Sequence, residues 1–449
     1  MQRKLSMKVA LLEASTLDRE RHIFYPLGLA CLAGYLKKSQ PDVEVYISSD
    51  LDEFRERGAD LAGISATSPA YQVAIRLAEK IKKDHNIPVI LGGAHISTFP
   101  ESLDPSFDAA VIGEGEITFS ELVHYFRDAS VKKDLIDISG IAFYRDGSMV
   151  LTSPRAPIQD LDSLPFPMRV WRGIEPQLQW LFSSRGCPGR CAFCASPRIW
   201  KGYRAHSPAH VLDEIRELIS RFGISFFIFM DDLFAVDRKR VEAMKTLFAR
   251  ELARKLSLTV TLRAELATES MASLLREMGT SFVHLGLESG SERVLNYLKG
   301  TASHVKTNER ALEICSASGL NAVGSFIIGA PEETEEELDE TYRFIEKSIK
   351  RGIMKSFSFS PLVTFPGTAV WDHAVAKGLI SPQNMNWRDL DIDLRSFDGS
   401  GYVLLTDRMS MKRFMYHFRR FKALYDDSLA AMMNQNSHKA PENNPEPCS

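Results

Sequence analysis

Short β-branched apolar runs alternate with amphipathic helical stretches over the first ~130 residues, which predicts a parallel sheet with crossover helices. The runs place strands at Lys8–Ala14, Val43–Ser48, Leu61–Ala66, Val89–Gly93 and Ala109–Gly113, and helices at Leu27–Lys38, Ala70–Asp84 and Glu116–Asp128. Five strands in this rhythm predict a doubly wound, Rossmann/flavodoxin-like α/β layer. Ile141–Leu151 reads as a hairpin with Asp146-Gly147 at its turn. The Pro-, Asp- and Leu-rich stretch 152–177 has neither period and reads as a linker, tied down by Leu161, Leu164 and Phe166.

The alternation resumes at Leu178. It predicts strands at Leu178–Ser184, Phe226–Asp231, Leu258–Arg263, Val283–Glu288, Val323–Gly329 and Ser356–Leu362, with helices such as Ala209–Phe222 and Glu333–Arg351. Six βα repeats over ~200 residues predict a partial (β/α)6 TIM-type barrel with its chemistry at the carboxyl ends of the strands. Met409–Asp427 reads as a basic amphipathic helix. The expected plan is an α/β domain at 7–135, hairpin and linker at 136–177, barrel at 178–375, a C-terminal extension at 376–434 and a disordered tail at 435–449.

Composition narrows the class. Hydrophobic residues at 44% and charged residues at 25% are ordinary for a globular protein, and 449 residues exceed one core. A net charge of -3 offers no electrostatic case for nucleic acid as the main partner. There is no apolar run of ~18 or more residues, hence no spanning helix is expected. The short apolar stretch before Glu13 reads as a strand and not a signal peptide.

Six cysteines carry the next step. Cys31 and Cys315 lie on apolar helical patterns and read as core; Cys448 lies in the polar tail. Cys187, Cys191 and Cys194 stand within eight residues, Cys187-Pro188-Gly189-Arg190-Cys191-Ala192-Phe193-Cys194, and no fourth cysteine or nearby histidine completes the set. Iron–sulfur cubes and structural zinc sites normally close with four protein ligands. Three leave one metal position open, as a catalytic site needs. An incomplete zinc knuckle and three buried thiols are the other readings of this spacing. With no disulfide framework in view, reduced thiols point to the cytoplasm.

This spacing, with Phe193 before the last cysteine, resembles the cluster loop of radical S-adenosylmethionine enzymes. The resemblance covers about Leu178 to Trp371. It implies a 4Fe-4S cluster on Cys187, Cys191 and Cys194, whose open iron is chelated by the amino and carboxylate groups of S-adenosylmethionine. Reductive cleavage then gives a 5′-deoxyadenosyl radical. Asp231 and Asp232 end the second barrel strand, where the family holds the amino end of that co-substrate; alternatively, Asp232 caps a turn. Arg263 and Glu265 end the third strand, and Glu288 and Ser289 the fourth. These four, together with Phe193, are implied to line the S-adenosylmethionine site, with an Arg263–Glu288 ion pair as the plainer alternative. Gly329 and Pro331 resemble the strand-five segment near adenine and also read as a tight βα turn, the two readings being compatible.

The front domain resembles the cobalamin-binding module fused to a branch of these enzymes. The matching groups are Tyr25-Pro26-Leu27-Gly28-Leu29, Gly63-Ile64-Ser65-Ala66-Thr67-Ser68, Gly92-Gly93-Ala94-His95 and Gly113-Glu114-Gly115-Glu116. All fall on the carboxyl edge of the expected sheet. The resemblance therefore implies that Leu27, Gly28, Ser65, Thr67, Ser68, Gly92, Gly93, His95, Gly113, Glu114, Gly115 and Glu116 border cobalamin. The Asp-x-His-x-x-Gly signature that brings histidine to cobalt is absent, so His95 is not expected to be a cobalt ligand.

Together these implications describe a relative of the anaerobic Mg-protoporphyrin ester cyclase and the cobalamin-dependent radical methylases. The expected activity is methyl transfer to an unactivated carbon through a 5′-deoxyadenosyl radical and methylcobalamin. A cyclase, oxidase or rearrangement enzyme without methyl transfer, and a cobalamin sensor without turnover, are the alternatives. The expected partners are a small-molecule or lipid-like substrate and an external electron donor such as a flavodoxin or ferredoxin. Trp387, Arg388 and Phe397 are candidates to cap the barrel mouth. The acidic run Glu332–Glu340 reads as a solvated helix face, and the basic stripe Lys412–Lys422 as a surface helix or a membrane-touching face.

Overall fold

The computed structural model describes residues 7–17, 26–48, 50–128, 134–169, 180–252 and 256–437. Tyr25, linker residues 170–177, the start of the strand expected at Leu178, Cys448 and the tail from 438 lie outside them. The chain divides into two compact units: Met1–Val260 with Val363–Asp391 and Gly401–Val403, and Thr261–Leu362 with Ile392–Ser400 and Leu404–Ser449.

In the first unit, β1 (Lys8–Glu13), β2 (Glu44–Ser48), β3 (Leu61–Ser65), β4 (Val89–Gly92) and β5 (Ala109–Val111) form the expected parallel layer in the order 2-1-3-4-5. Val9, Ala10, Leu11 and Leu12 are all fully buried, because crossover helices cover both faces of such a sheet. Helices Leu27–Ser39 and Glu116–Arg127 pack Ala30, Ala33, Phe119 and Leu122 onto one face. The hairpin forms as β6 (Ile141–Arg145) and β7 (Ser148–Leu151), with Asp146 and Gly147 both at positive φ, as a tight primed turn demands. It adds antiparallel to β5, through Val111 opposite Ile141, and extends the sheet to seven strands.

The linker is anchored on this layer. Met168 N–H donates to the Ala30 carbonyl at 2.9 Å, and Leu161 and Leu164 are buried. A Cβ on Gly34 would fall 2.5 Å from the Phe166 carbonyl, so only glycine lets the linker lie this close to the helix.

Still in the first unit, the strand expected at Leu178–Ser184 is broken into β8 (Trp180–Leu181) and β9 (Ser184–Arg185). The break follows from side-chain chemistry: Asp231 captures Ser183 and Ser184 by backbone and hydroxyl alike, turning β9 away to pair antiparallel with β10 (Arg204–Ala205). β8 pairs parallel with β11 (Phe226–Phe229), and β11 with β12 (Ser257–Arg263).

In the second unit, β13 (Thr280–Glu288), β14 (Asn321–Ile328) and β15 (Ser356–Pro361) are parallel, with helices after each of the first two. The C-terminal helix runs Met411–Ser437, longer than the pattern predicts. Phe418 and Phe421 pack on Phe359, and Arg413, His417 and Arg420 reach Glu335 and Asp339. The acidic run is thus partly neutralised by the basic stripe rather than wholly solvated, and Arg413 and Arg420 are engaged within the protein. Among the described residues no helix is long and apolar enough to cross a membrane.

Candidate functional site

Cys187, Cys191 and Cys194 share the loop between β9 and β10, and each is half-buried. The loop is pinched at its neck. Gly186 has φ 82°, and a Cβ there would sit 2.2 Å from the Gly202 carbonyl. Asp232 then braces both arms, its Oδ2 accepting from Gly186 N–H at 3.1 Å and from the Ser196 hydroxyl at 2.9 Å. Gly189 N–H points to Cys187 Sγ at 3.3 Å, Cys194 N–H donates to the Cys191 carbonyl at 3.1 Å, and Val370 N–H donates to the Ala192 carbonyl at 3.1 Å. Burial pushes the Cys194 thiol up to about 11, with the two neighbouring cysteines and Asp232 adding to it. Phe193 is half-buried in the same loop.

The two carboxylates expected to hold the amino end of S-adenosylmethionine part company here. Asp231 is buried and both its oxygens are spent on Ser183 and Ser184, so it shapes the loop and has no capacity left for an ammonium group. Asp232 remains exposed and bridges the cysteine loop instead of capping the turn that follows it.

A cavity of about 280 Å³ opens at the carboxyl edge of the first sheet. Gly28, Ser65, Gly92, Gly93, Gly113, Glu114, Gly115 and Glu116 border it, as expected, and Phe182, Arg185, Ile199 and Trp200 border it from the cysteine-loop side. Leu27, Thr67, Ser68 and His95 are not among its lining. Leu27 faces the core, and Thr67 is exposed elsewhere. His95 is fully buried, with Nδ1 3.0 Å from the Ser68 hydroxyl, Nε2 2.9 Å from the Ser102 hydroxyl, and its ring stacked on Tyr71. Burial pushes it down to about 3, so it is neutral. Trp387 packs edge-on against His95 and stacks on Trp371, while Phe397 packs on Phe418.

Sequence reading missed two groups at this cavity. Glu13 ends β1 at its wall, and burial raises its carboxyl to about 7 against a hydrogen bond from Ser65. Its signal was a carboxylate closing an otherwise apolar strand. Arg185 is buried and donates to Glu114 Oε1 at 2.7 Å and Glu116 Oε1 at 2.5 Å, while Arg204 donates to both Glu114 oxygens at 2.9 and 3.0 Å. Arg185 stands two residues before Cys187, so one guanidinium joins the cysteine loop to the rim of the cavity.

In the second unit, Arg263 donates to Glu265 and to the Ser303 hydroxyl, and Ser303 donates to Glu265 at 2.5 Å. Burial opposes ionisation of Glu265, yet the bonds from Ser303 and Arg263 and the charge of Lys299 hold it at about 2. Glu288 lies at a bulge of β13 with φ 61°, and Lys299 is its ion partner at 3.9 Å. Burial raises Glu288 to about 7, with Lys299 and Arg263 pulling it back. In place of the plainer alternative, a direct Arg263–Glu288 ion pair, Arg263 pairs with Glu265 and Glu288 with Lys299, while the charge of Arg263 still acts on Glu288. Ser289 is fully buried, 3.0 Å from the Thr341 hydroxyl, and so faces the core. Gly329 and Ala330 donate to Glu333 Oε2 at 2.5 and 3.0 Å, so the Gly329–Pro331 segment forms a tight turn, a geometry compatible with a ligand beside it. Glu333 is fully buried and raised by burial to about 8.

Residues 181–345 match the radical SAM superfamily, and residues 19–123 match the B12 binding domain. An uncharacterized methyltransferase of Pyrococcus horikoshii is 33% identical over 383 residues, 81% of each chain. The chain belongs to the radical SAM superfamily and carries a B12 binding domain. The anaerobic magnesium-protoporphyrin IX monomethyl ester cyclase of Rubrivivax gelatinosus is 30% identical over 342 residues, 71% of this chain and 61% of its own length. This chain thus spans about three fifths of that relative. The solved structure of the radical S-adenosylmethionine methyltransferase TsrM from Kitasatospora setae, with cobalamin and a [4Fe-4S] cluster bound, superposes with a TM-score of 0.69 at 19% identity, over 88% of this chain and 80% of that one. That likeness bears on the fold.

As a radical SAM superfamily member with a B12 binding domain, the protein uses a 4Fe-4S cluster, S-adenosylmethionine and cobalamin. The residues present fit these groups. Three cysteines on one braced loop are a sulfur donor set suited to iron. At Gly28, Gly92 and Gly113 an added Cβ would project into open space, so the backbone rim of the cavity is free to meet a large ligand.

Proposed function

We propose that the protein is a cobalamin-dependent radical S-adenosylmethionine methyltransferase acting on an unactivated carbon of a small molecule. The observation that carries this reading is Arg185, whose side chain binds Glu114 and Glu116 on the cavity rim while its backbone leads into Cys187. The cysteine loop and the first-sheet cavity belong to one compact unit and share one buried ion network. A reaction that needs the two cofactors in one turnover calls for such a link. The P. horikoshii relative's description as a methyltransferase supports the same reading.

When bound, the cluster and S-adenosylmethionine supply a hydrogen-abstracting radical, and cobalamin supplies the methyl group. The chain's own work is positioning. Cys187, Cys191 and Cys194 are assigned to the cluster, and Asp232 keeps their loop closed at its neck. Gly28, Ser65, Gly92, Gly93, Gly113 and Gly115 are assigned to cobalamin through backbone approach, with Glu13 as a neutral or ionised partner inside the cavity. In the second unit Glu288, and Glu265 with Arg263, are assigned to S-adenosylmethionine as polar groups at strand ends. An external one-electron donor of flavodoxin or ferredoxin type supplies the reductant. Free thiolate ligands suit a reducing cytoplasm.

The test is anaerobic reconstitution with iron, sulfide and cobalamin, followed by incubation with S-adenosylmethionine carrying a labelled methyl group and a chemical reductant. In the presence of a small-molecule acceptor, methyl transfer gives both 5′-deoxyadenosine and S-adenosylhomocysteine, and the label ends on the acceptor's carbon. Formation of 5′-deoxyadenosine without S-adenosylhomocysteine or label transfer would instead indicate a cyclase, oxidase or rearrangement enzyme.

A further inference from the structure

Away from the cysteine loop, three donor side chains converge where the linker meets helix Pro208–Phe222. One ligand atom each from Asp162, His206 and His210 lies within 4.8 Å of the others. The Nδ1 atoms of His206 and His210 stand 3.2 and 3.8 Å from the same Asp162 oxygen, Oδ1. The two imidazoles are stacked, with centroids 4.2 Å apart and planes 14° from parallel, so they present the same edge to the carboxylate.

We propose that Asp162, His206 and His210 form a divalent-metal site of zinc type that staples the linker to this helix. Tetrahedral zinc with bonds of about 2.0–2.2 Å holds its ligand atoms roughly 3.3–3.5 Å apart. Both observed separations to Asp162 are close to that edge length, and all three donor atoms lie within 4.8 Å of one another, so closing on a cation asks for small shifts of these side chains. The donor types are those zinc takes, two imidazoles and a carboxylate. Both imidazoles, though not Asp162, also border a cavity of about 20 Å³, room for a single water, and Cys31 borders it as well.

The seam around the site is built to hold still. Arg169 is buried against Glu214 at 2.6 Å, and Phe166 packs edge-on to His210 at 4.9 Å, so linker and helix are already in register. Ser207 N–H donates to Asp162 Oδ1 at 2.9 Å and fixes the carboxylate at the helix start. A cation here adds a crosslink between residues 44 positions apart in sequence. The three donors include no sulfur, which separates them chemically from the cysteine loop.

The experiment loads the reconstituted holoenzyme from a chelator-buffered zinc solution, then counts zinc and iron per chain and records the zinc-edge X-ray absorption. The expected result is about one zinc per chain with a shell of nitrogen and oxygen near 2.0–2.1 Å, and iron content unchanged. Asp162→Asn, which keeps an oxygen for Ser207 N–H, and His210→Ala each weaken zinc retention at least ~tenfold without loss of iron or cobalamin. The proposal is overturned if the wild-type protein takes up no more zinc than a variant carrying both His206→Ala and His210→Ala. It is equally overturned if the shell contains sulfur near 2.3 Å, which would place the zinc on the cysteine loop or on Cys31 rather than on these three donors.

Discussion

The guanidinium of Arg185 meets the carboxylate of Glu116 at 2.5 Å, in a pocket where both side chains are less than a tenth exposed. Arg185 belongs to the strand that leads into the cysteine loop, and Glu116 opens the helix that borders the first-sheet cavity. Breaking a buried pair from one side leaves the other charge uncompensated, at a cost of about 3–5 kcal/mol. Arg185→Ala is therefore expected to lower the urea midpoint strongly and to reduce the cobalamin retained after gel filtration. Glu116→Gln keeps an acceptor for the guanidinium and is expected to do less damage on both readouts. Equal behaviour of the two variants would show that the charge pairing is incidental.

Asp232 gives a second prediction. Its Oδ2 holds Gly186 and Ser196 on either side of the three cysteines. Asp232→Ala removes two hydrogen bonds worth about 1–2 kcal/mol together and lets the neck of the loop open. Iron and sulfide per chain after reconstitution should drop, whereas Asp232→Asn, with one acceptor oxygen retained, should stay near wild type. By contrast, alanine at Cys187, Cys191 or Cys194 should abolish the cluster absorbance, and alanine at Cys315, buried in helix Val305–Ala317, should leave it intact.

The difference between what was legible in the sequence and what was not has a physical cause. The order of the first sheet follows from apolar runs buried on both faces, and the hairpin turn from Asp146-Gly147, because these are local signals. The cysteine loop is equally local, since its spacing is its chemistry. Side-chain pairing is not local. Glu114 and Glu116 read as ligand-facing residues, but their partner Arg185 stands some seventy positions away, and no periodicity reports it. His95 follows a glycine pair at a strand end and so reads as a rim residue. Its ring turns inward because Ser68 and Ser102 satisfy both nitrogens there. Ser289 misleads in the same way: a hydroxyl at a strand end reads as a ligand group until Thr341 claims it.

Glu13 predicts a pH dependence. Its carboxyl is raised from 4.5 to about 7 by burial at the cavity wall. A carboxyl with a raised folded-state pKa binds a proton more tightly when folded, so its contribution is fully present below pH 4.5 and is lost as pH rises toward 7. The loss is no more than about 3 kcal/mol and is reduced by solvent at the exposed edge of the side chain. Glu13→Gln mimics the protonated form. It should match wild type near pH 4 and exceed it in stability at pH 8, measured as the difference in unfolding midpoints at the two pH values. Glu288 and Glu333 titrate in the same direction in both proteins, so the comparison isolates Glu13.

His95 supplies the last prediction, and it separates an internal role from a cofactor role. Both ring nitrogens are engaged by hydroxyls, and the ring lies between Tyr71 and Trp387. A histidine so placed has no free nitrogen to offer cobalt, and its pKa near 3 keeps it neutral at all working pH values. The low folded-state pKa means that the unfolded chain binds the extra proton, so its stabilising effect is present above pH 6.5 and is lost as pH falls toward 3. His95→Ala should lower the thermal midpoint at neutral pH by opening a cavity among aromatic rings, with a smaller deficit at pH 4.5, where wild type has lost part of the advantage. The electron paramagnetic resonance spectrum of reduced, cobalamin-loaded protein should be the same in both proteins. A nitrogen splitting present in wild type and absent in the variant would place His95 on cobalt, against the packing seen here.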